Sequence, residues 1–153
     1  MTDLLLDPRT VLLTHVGTTW TMVGVIWVMQ LVHYPLFAYV GSDTYATYQT
    51  LHMNRITWIV LPVMALELIT AGLLAAGYVP GVSALQAWVG AGLLALIWGS
   101  TGLVQAPLHG LLADGFSTRT HTWLVASNWI RTVAWTVRGG LVLWMLMPLL
   151  RIP

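Results

Sequence analysis

The chain has no cysteine and no lysine, and its six basic residues are all arginine. Without cysteine there is no disulfide, no thiolate metal site and no dithiol redox pair. Without lysine there is no polybasic stripe for anionic lipid. A formal net charge of +1 leaves no basic face for a nucleic acid. Charge of either sign is scarce, at 7% of residues, where a soluble domain carries about a quarter. That is too little to solvate a globular surface, so lipid is the solvent that fits. Asp3 and Asp7 stand where a signal peptide would be positive, so none is expected.

What is present is apolar length. Hydrophobic residues make up 58% of the chain, and the mean hydropathy is +0.79. A helix needs about 20 apolar residues to cross the bilayer core, and four runs qualify. They cover about 10–33, 44–78, 84–106 and 118–148. The first ends at His33-Tyr34-Pro35, the second stops before Pro80-Gly81, and the third breaks at Pro107. The expectation is an all-α, integral membrane four-helix transmembrane bundle, a single domain over 1–153. Ser42 or Asp43 and Ser117 are the expected N-caps. Pro62 is expected to kink the second helix, and Gly139-Gly140 to mark a close approach. Four crossings put Asp3, Asp7, Arg9, the Pro80-Gly81 turn and Arg151 on one face. The two longer loops, about 34–55 and 105–122, lie on the other. Arginine counts tie across the two faces, so charge does not orient the protein. Trp and Tyr near the helix ends (Tyr34, Tyr39, Tyr45, Tyr48, Tyr78, Trp88, Trp123, Trp129, Trp144) read as an interfacial belt.

The polar residues are distributed asymmetrically. His33, His52, His109 and His121 all fall toward the face away from the termini, one per helix, and only His15 falls toward the other. Gln30, Tyr48, Asn54, Arg55, Gln105, Asn128 and Arg131 join the same half. On the fourth helix His121, Asn128, Arg131, Trp135 and Arg138 fall on one arc at about 100° per residue. Such a stripe must face the bundle interior or a wet cavity. Glu67 is the acidic residue inside an apolar run, at a depth comparable to Arg138, and the two are expected to form a buried ion pair.

Three readings of the histidines follow. His33, His52, His109 and His121 could ligate copper, iron or zinc, or in a variant of that site a haem. They could act as acid–base groups around an organic substrate. They could also be interfacial polar residues without chemistry. On the second reading His52, His109, Asn128 and Arg131 are the expected catalytic residues. Gln30, Tyr48, Arg55, Gln105 and Trp135 line the substrate site, and Arg131 anchors an anionic or carbonyl oxygen.

The segments Gln105-Ala-Pro-Leu-His109 and Ser127-Asn-Trp-Ile-Arg131-Thr-Val-Ala resemble a paired motif of the anthrone-oxygenase-like family of small four-helix membrane proteins. Members typically carry Asn-x-Pro-Leu-Asn after the third helix and Trp-Asn-x-x-Arg-Thr opening the fourth. Asn54-Arg55 and Pro62 are similar to the family's second-helix pattern. This chain departs at Gln105, His109 and Ser127, and matches at Asn128 and Arg131. The resemblance implies oxidation of a small aromatic substrate by dioxygen, as characterised fungal members oxidise anthrones to anthraquinones. A fainter resemblance, in the Arg55 to Pro62 spacing, is to the bacterial four-helix protoporphyrinogen oxidase, and it implies haem. The expected function is a membrane oxidoreductase, oxygenase-like, acting on a small lipophilic substrate, as a multi-pass protein of a bacterial inner membrane. The alternative is a non-enzymatic membrane subunit or carrier for haem, quinone or a partner protein. Gly90, Gly92 and Gly99 on the third helix leave a homo-oligomer open.

Overall fold

The computed structural model describes residues 7–150; Asp3 and Arg151 lie outside them. Four helices fill nearly all of that length. They are α1 (Pro8–Tyr39), α2 (Ser42–Ala75), α3 (Ala84–Ala113) and α4 (Thr118–Leu150). Short connections make sequence neighbours antiparallel. α1 packs against α2 and α4, and α3 against α2 and α4, so the bundle is a square with its interior on the long axis. Among the described residues α1, α2 and α3 are long and apolar enough to cross a membrane. The exterior is apolar, with Trp58 83% and Leu103 81% exposed. A soluble bundle would not leave such side chains outside, and the protein is an all-α membrane bundle.

The helix ends follow local chemistry. Asp7 caps α1 by accepting from the N–H groups of Arg9 and Thr10, with Pro8 at the first helical position. Gly41, not Ser42 or Asp43, is the N-cap of α2, without a side-chain bond. Ser117 caps α4 through the N–H of Thr120. Ser83 and Gln86 form a capping box on α3. α2 stops at Ala75, short of the expected 78, because Gly77 turns left-handed at φ 76° and closes the helix end. Pro62 lies inside α2 without ending it.

The larger correction concerns the other two prolines. α1 and α3 were expected to end near 33 and 106, yet they continue to Tyr39 and Ala113. Each passes its proline through one π turn, Met29–His33 before Pro35 and Thr101–Gln105 before Pro107. The residue preceding each proline donates to the carbonyl five back, Tyr34 to Met29 and Ala106 to Thr101. The wider turn accommodates a ring that would clash with the carbonyl four back. It also inserts one residue, turning the following side chains by about 100°.

The interior alternates along the axis. An apolar layer near the termini (Val11, Leu12, Leu74, Val79, Ala87, Val142, Met145) is followed by buried His15, Thr19, Glu67, Thr70 and Arg138. A middle apolar layer (Met22, Val23, Ile26, Met64, Ile97, Ala134, Trp135) separates these from a second polar layer around Arg131. Tyr34, Phe37, Tyr45, Leu112 and Leu124 close the far end. Tyr34 and Tyr45 are therefore core residues, not members of an aromatic belt. Of the expected glycine contacts, Gly139 is a close approach. A Cβ there would stand 3.3 Å from Val23 and 3.5 Å from Trp20, whereas Gly140, Gly92 and Gly99 face open space. Gly139→Val is expected to cost about 1–3 kcal/mol by overpacking, read as a lower melting temperature in detergent, while Gly140→Val leaves it unchanged.

Candidate functional site

The second polar layer is built around one guanidinium. Arg131 is buried, at 7% exposed. Its Nε donates to Asn128 Oδ1 at 3.0 Å, and its Nη1 to Thr101 Oγ1 at 3.3 Å. Nη2 donates to the same Asn128 oxygen at 2.5 Å and to Tyr34 Oη at 3.2 Å. Every partner is neutral. The single ion pair among the described residues is elsewhere. Asn128 is in turn held by Gln30, whose Oε1 accepts from Asn128 Nδ2 at 2.8 Å and from Thr132 Oγ1 at 3.3 Å. Gln30 Nε2 donates to the Val125 carbonyl. Gln30 and Thr101 sit in the two π turns, so the wide turns aim side chains at this layer.

Tyr34 Oη is the second centre. Gln49 Nε2 donates to His109 Nδ1 at 2.7 Å, which assigns the ring proton to Nε2. His109 Nε2 then donates to Tyr34 Oη at 3.1 Å. With His109 and Arg131 both donating to that oxygen, the hydroxyl proton is left to point elsewhere, and Tyr34 lines a cavity. His121 Nε2 donates to the Tyr34 backbone carbonyl at 2.8 Å and fixes the α1 segment beyond the π turn.

The cavity, about 190 Å³, lies between these groups and an apolar wall of Met22, Val25, Ile26, Met29, Met53, Ile56, Val60 and Met64. Tyr34, His52, Thr101, Gln105, His109 and Arg131 bring its polar atoms, and Trp135 also lines it. Exposed Thr57 of α2 and exposed Ala106 of α3 belong to the lining, so the space opens toward the bundle exterior. Gln105 donates to Ser127 Oγ at 2.9 Å, and its Oε1 has no partner among the described residues. The cavity thus offers a fixed cation and a hydroxyl donor, surrounded by hydrocarbon. That combination suits a small aromatic or lipophilic molecule carrying oxygen.

The expected site residues divide. His52, Gln105, His109, Arg131 and Trp135 line this cavity, whereas Asn128 and Gln30 stand behind Arg131 and position it. Tyr48 and Arg55 do not reach the cavity. They line a separate groove between α1 and α2, with His33, Leu51 and His52. Glu67 and Arg138 meet at 2.9 Å in the other polar layer, not at the cavity. Trp135 links the two, its Nε1 donating to Glu67 Oε2 at 3.2 Å. Sequence reasoning missed Tyr34, Gln49 and Thr101. For Tyr34 the signal was available, since it follows Gln30 and His33 on the inward face and precedes Pro35.

The metal expectation for His33, His52, His109 and His121 finds no support in the same hydrogen bonds. Among the described residues no group of three or more His, Asp or Glu is placed to hold a metal ion. His109 spends both nitrogens on Gln49 and Tyr34, His121 Nε2 is tied to a carbonyl, and His33 is bonded to His52. Copper, iron and zinc have no ligand set in these four residues. A tetrapyrrole is too large for the Arg131 cavity, at about 190 Å³.

Comparison of the chain with models of known families, with characterised proteins and with solved structures gives no match.

Proposed function

We propose that the protein is a multi-pass membrane oxidoreductase of the anthrone-oxygenase-like kind, sited in a bacterial inner membrane. A small aromatic substrate enters the Arg131 cavity from the bilayer and is oxidised there by dioxygen. One observation carries the reading: a buried guanidinium lines a cavity and has only neutral partners. A charge in so apolar a setting is costly unless something compensates it. The compensating group is a substrate oxygen that becomes anionic during the reaction. Asn128, Thr101 and Gln30 fix the guanidinium, so it needs no reorganisation as that charge develops. Tyr34, its oxygen held by two donors, directs its proton to the same substrate oxygen. His52 is the base that takes the substrate proton. His109 positions Tyr34.

For an anthrone the balance is simple. The ring methylene becomes a carbonyl, one dioxygen is consumed, and its second oxygen leaves as water. Binding the existing carbonyl oxygen at Arg131 stabilises the enolate formed when the methylene loses a proton, and that electron-rich anion is what dioxygen oxidises. The test is oxygen uptake by the purified protein in nanodiscs with anthrone. The expected result is one dioxygen per anthraquinone formed. Binding of anthrone without oxygen uptake would overturn the enzymatic reading and leave a carrier.

Tyr34→Phe removes one donor and little volume. It is expected to lower turnover about a hundredfold while the protein still folds, with at most about 1–3 kcal/mol of stability lost from the donors left without an acceptor. Unchanged turnover would take Tyr34 out of the site.

A further inference from the structure

Two cavities share a wall of Met29, His52 and Ile56. His52 lines both the Arg131 cavity and the groove between α1 and α2. His33 lines the groove, and its Nε2 lies 2.9 Å from His52 Nδ1. The rings are tilted at 44° with centroids 4.6 Å apart, a hydrogen-bonded pair and not a stack. The remaining nitrogens, His33 Nδ1 and His52 Nε2, make no hydrogen bond among the described residues. The pair is a two-ring chain whose members line the groove and the cavity. The groove carries Arg55 and Tyr48. α2, at 34 residues, is about 50 Å long and exceeds the bilayer core by about 20 Å. Tyr48, His52 and Arg55 all fall in its N-terminal half, within about 20 Å of the helix start.

We propose that His33 and His52 form a proton relay that carries the substrate's proton out of the cavity to water in the α1–α2 groove; this rests on the deprotonation step above. His52 Nε2 takes the proton, and Nδ1–H of His52 passes its proton to His33 Nε2. His33 then releases its Nδ1 proton to the groove. Both rings end as the opposite neutral tautomers, and ring reorientation or a reverse transfer resets them. No charge is left in the apolar layer, the advantage of a relay over a lone base there. The titratable and charged neighbours are Tyr34 on α1, Tyr48 and Arg55 on α2, His109 on α3 and Arg131 on α4. None is a carboxylate that could trap the proton.

Two variants separate relay from packing. His33→Phe fills the space without carrying a proton, and anthrone turnover is expected to fall about a hundredfold with KM unchanged. His33→Ala opens the groove, and its lost turnover is expected to return in proportion to imidazole added to the aqueous phase. Wild-type turnover in His33→Phe, or a defect in His33→Ala indifferent to imidazole, would overturn the relay. A second readout needs no turnover: exchange of the His52 ring proton with water, followed by nitrogen NMR of histidine-labelled protein in nanodiscs. It is expected to slow about a hundredfold in His33→Phe, the low end of the range for one acid–base step. Unchanged exchange would overturn the relay. If the wild type leaves anthrone untouched, the proposed oxidation fails, and this exchange measurement still decides the relay.

Discussion

Arg131→Met is expected to abolish anthrone oxidation and leave the bundle folded. Methionine keeps much of the aliphatic volume and removes the charge and its donors. Loss of one neutral donor at a developing oxyanion costs about 10²–10³ in rate. The guanidinium aligns Tyr34 as well as carrying charge, so kcat/KM is expected to fall at least about a thousandfold, or ~4 kcal/mol of transition-state stabilisation. Stability moves little because two terms oppose. The desolvation cost of an uncompensated cation disappears, while Asn128 Oδ1 loses its donors at about 1–3 kcal/mol. Arg131→Lys keeps the charge as a point on a flexible stem and cannot serve Asn128, Thr101 and Tyr34 together. Its turnover is expected to lie between the two. The measurement pairs oxygen uptake with thermal denaturation in detergent. A folded Arg131→Met protein with wild-type turnover would remove the cavity from the chemistry.

Much of this arrangement is legible in the sequence, and the limits have physical causes. The α4 stripe is legible because the helical period alone decides which side chains share an arc. His121 is partly buried, and Asn128, Arg131, Trp135 and Arg138 are fully inward. The depth match between Glu67 and Arg138 needs only the rise per residue. Pro35 and Pro107 look like stops in the sequence because proline ends an ordinary α-helix. The sequence does not show that a π turn can absorb each ring. That one substitution of turn type carries α1 past Tyr34, buries it, and converts a presumed interfacial aromatic into the residue beside Arg131. The metal expectation for the histidines goes unsupported for a different reason. Spacing tells which imidazoles meet, and His33, His52 and His109 do lie close together. It does not tell which nitrogens remain free once Gln49, Tyr34 and a backbone carbonyl have taken their share.

The opposite response is expected seven residues along the same helix face, where Arg138→Met should destabilise the bundle severely. Arg138 is 1% exposed and Glu67 0%, and all four helices converge on them. Glu67 Oε1 accepts from Arg138 Nε at 3.1 Å, from Arg138 Nη2 at 2.9 Å and from Thr19 at 2.7 Å. Trp135 takes Oε2, Arg138 Nη1 donates to the Gly90 carbonyl, and Nη2 reaches His15 Nε2 at 3.3 Å. Arg138→Met leaves a buried carboxylate without its counter-charge, and Glu67→Leu leaves a buried guanidinium. Each is expected to cost about 3–5 kcal/mol, seen as unfolding at a lower SDS fraction. The double variant removes both charges and is expected to recover most of that loss, since a buried pair contributes little net stability over well-packed apolar side chains. Additive losses in the double variant would mean that the pair itself holds the bundle together. Singles as stable as the wild type would mean that water reaches these groups. The contrast follows from partners alone: Arg138 balances a buried carboxylate, and Arg131 meets only neutral groups until substrate arrives.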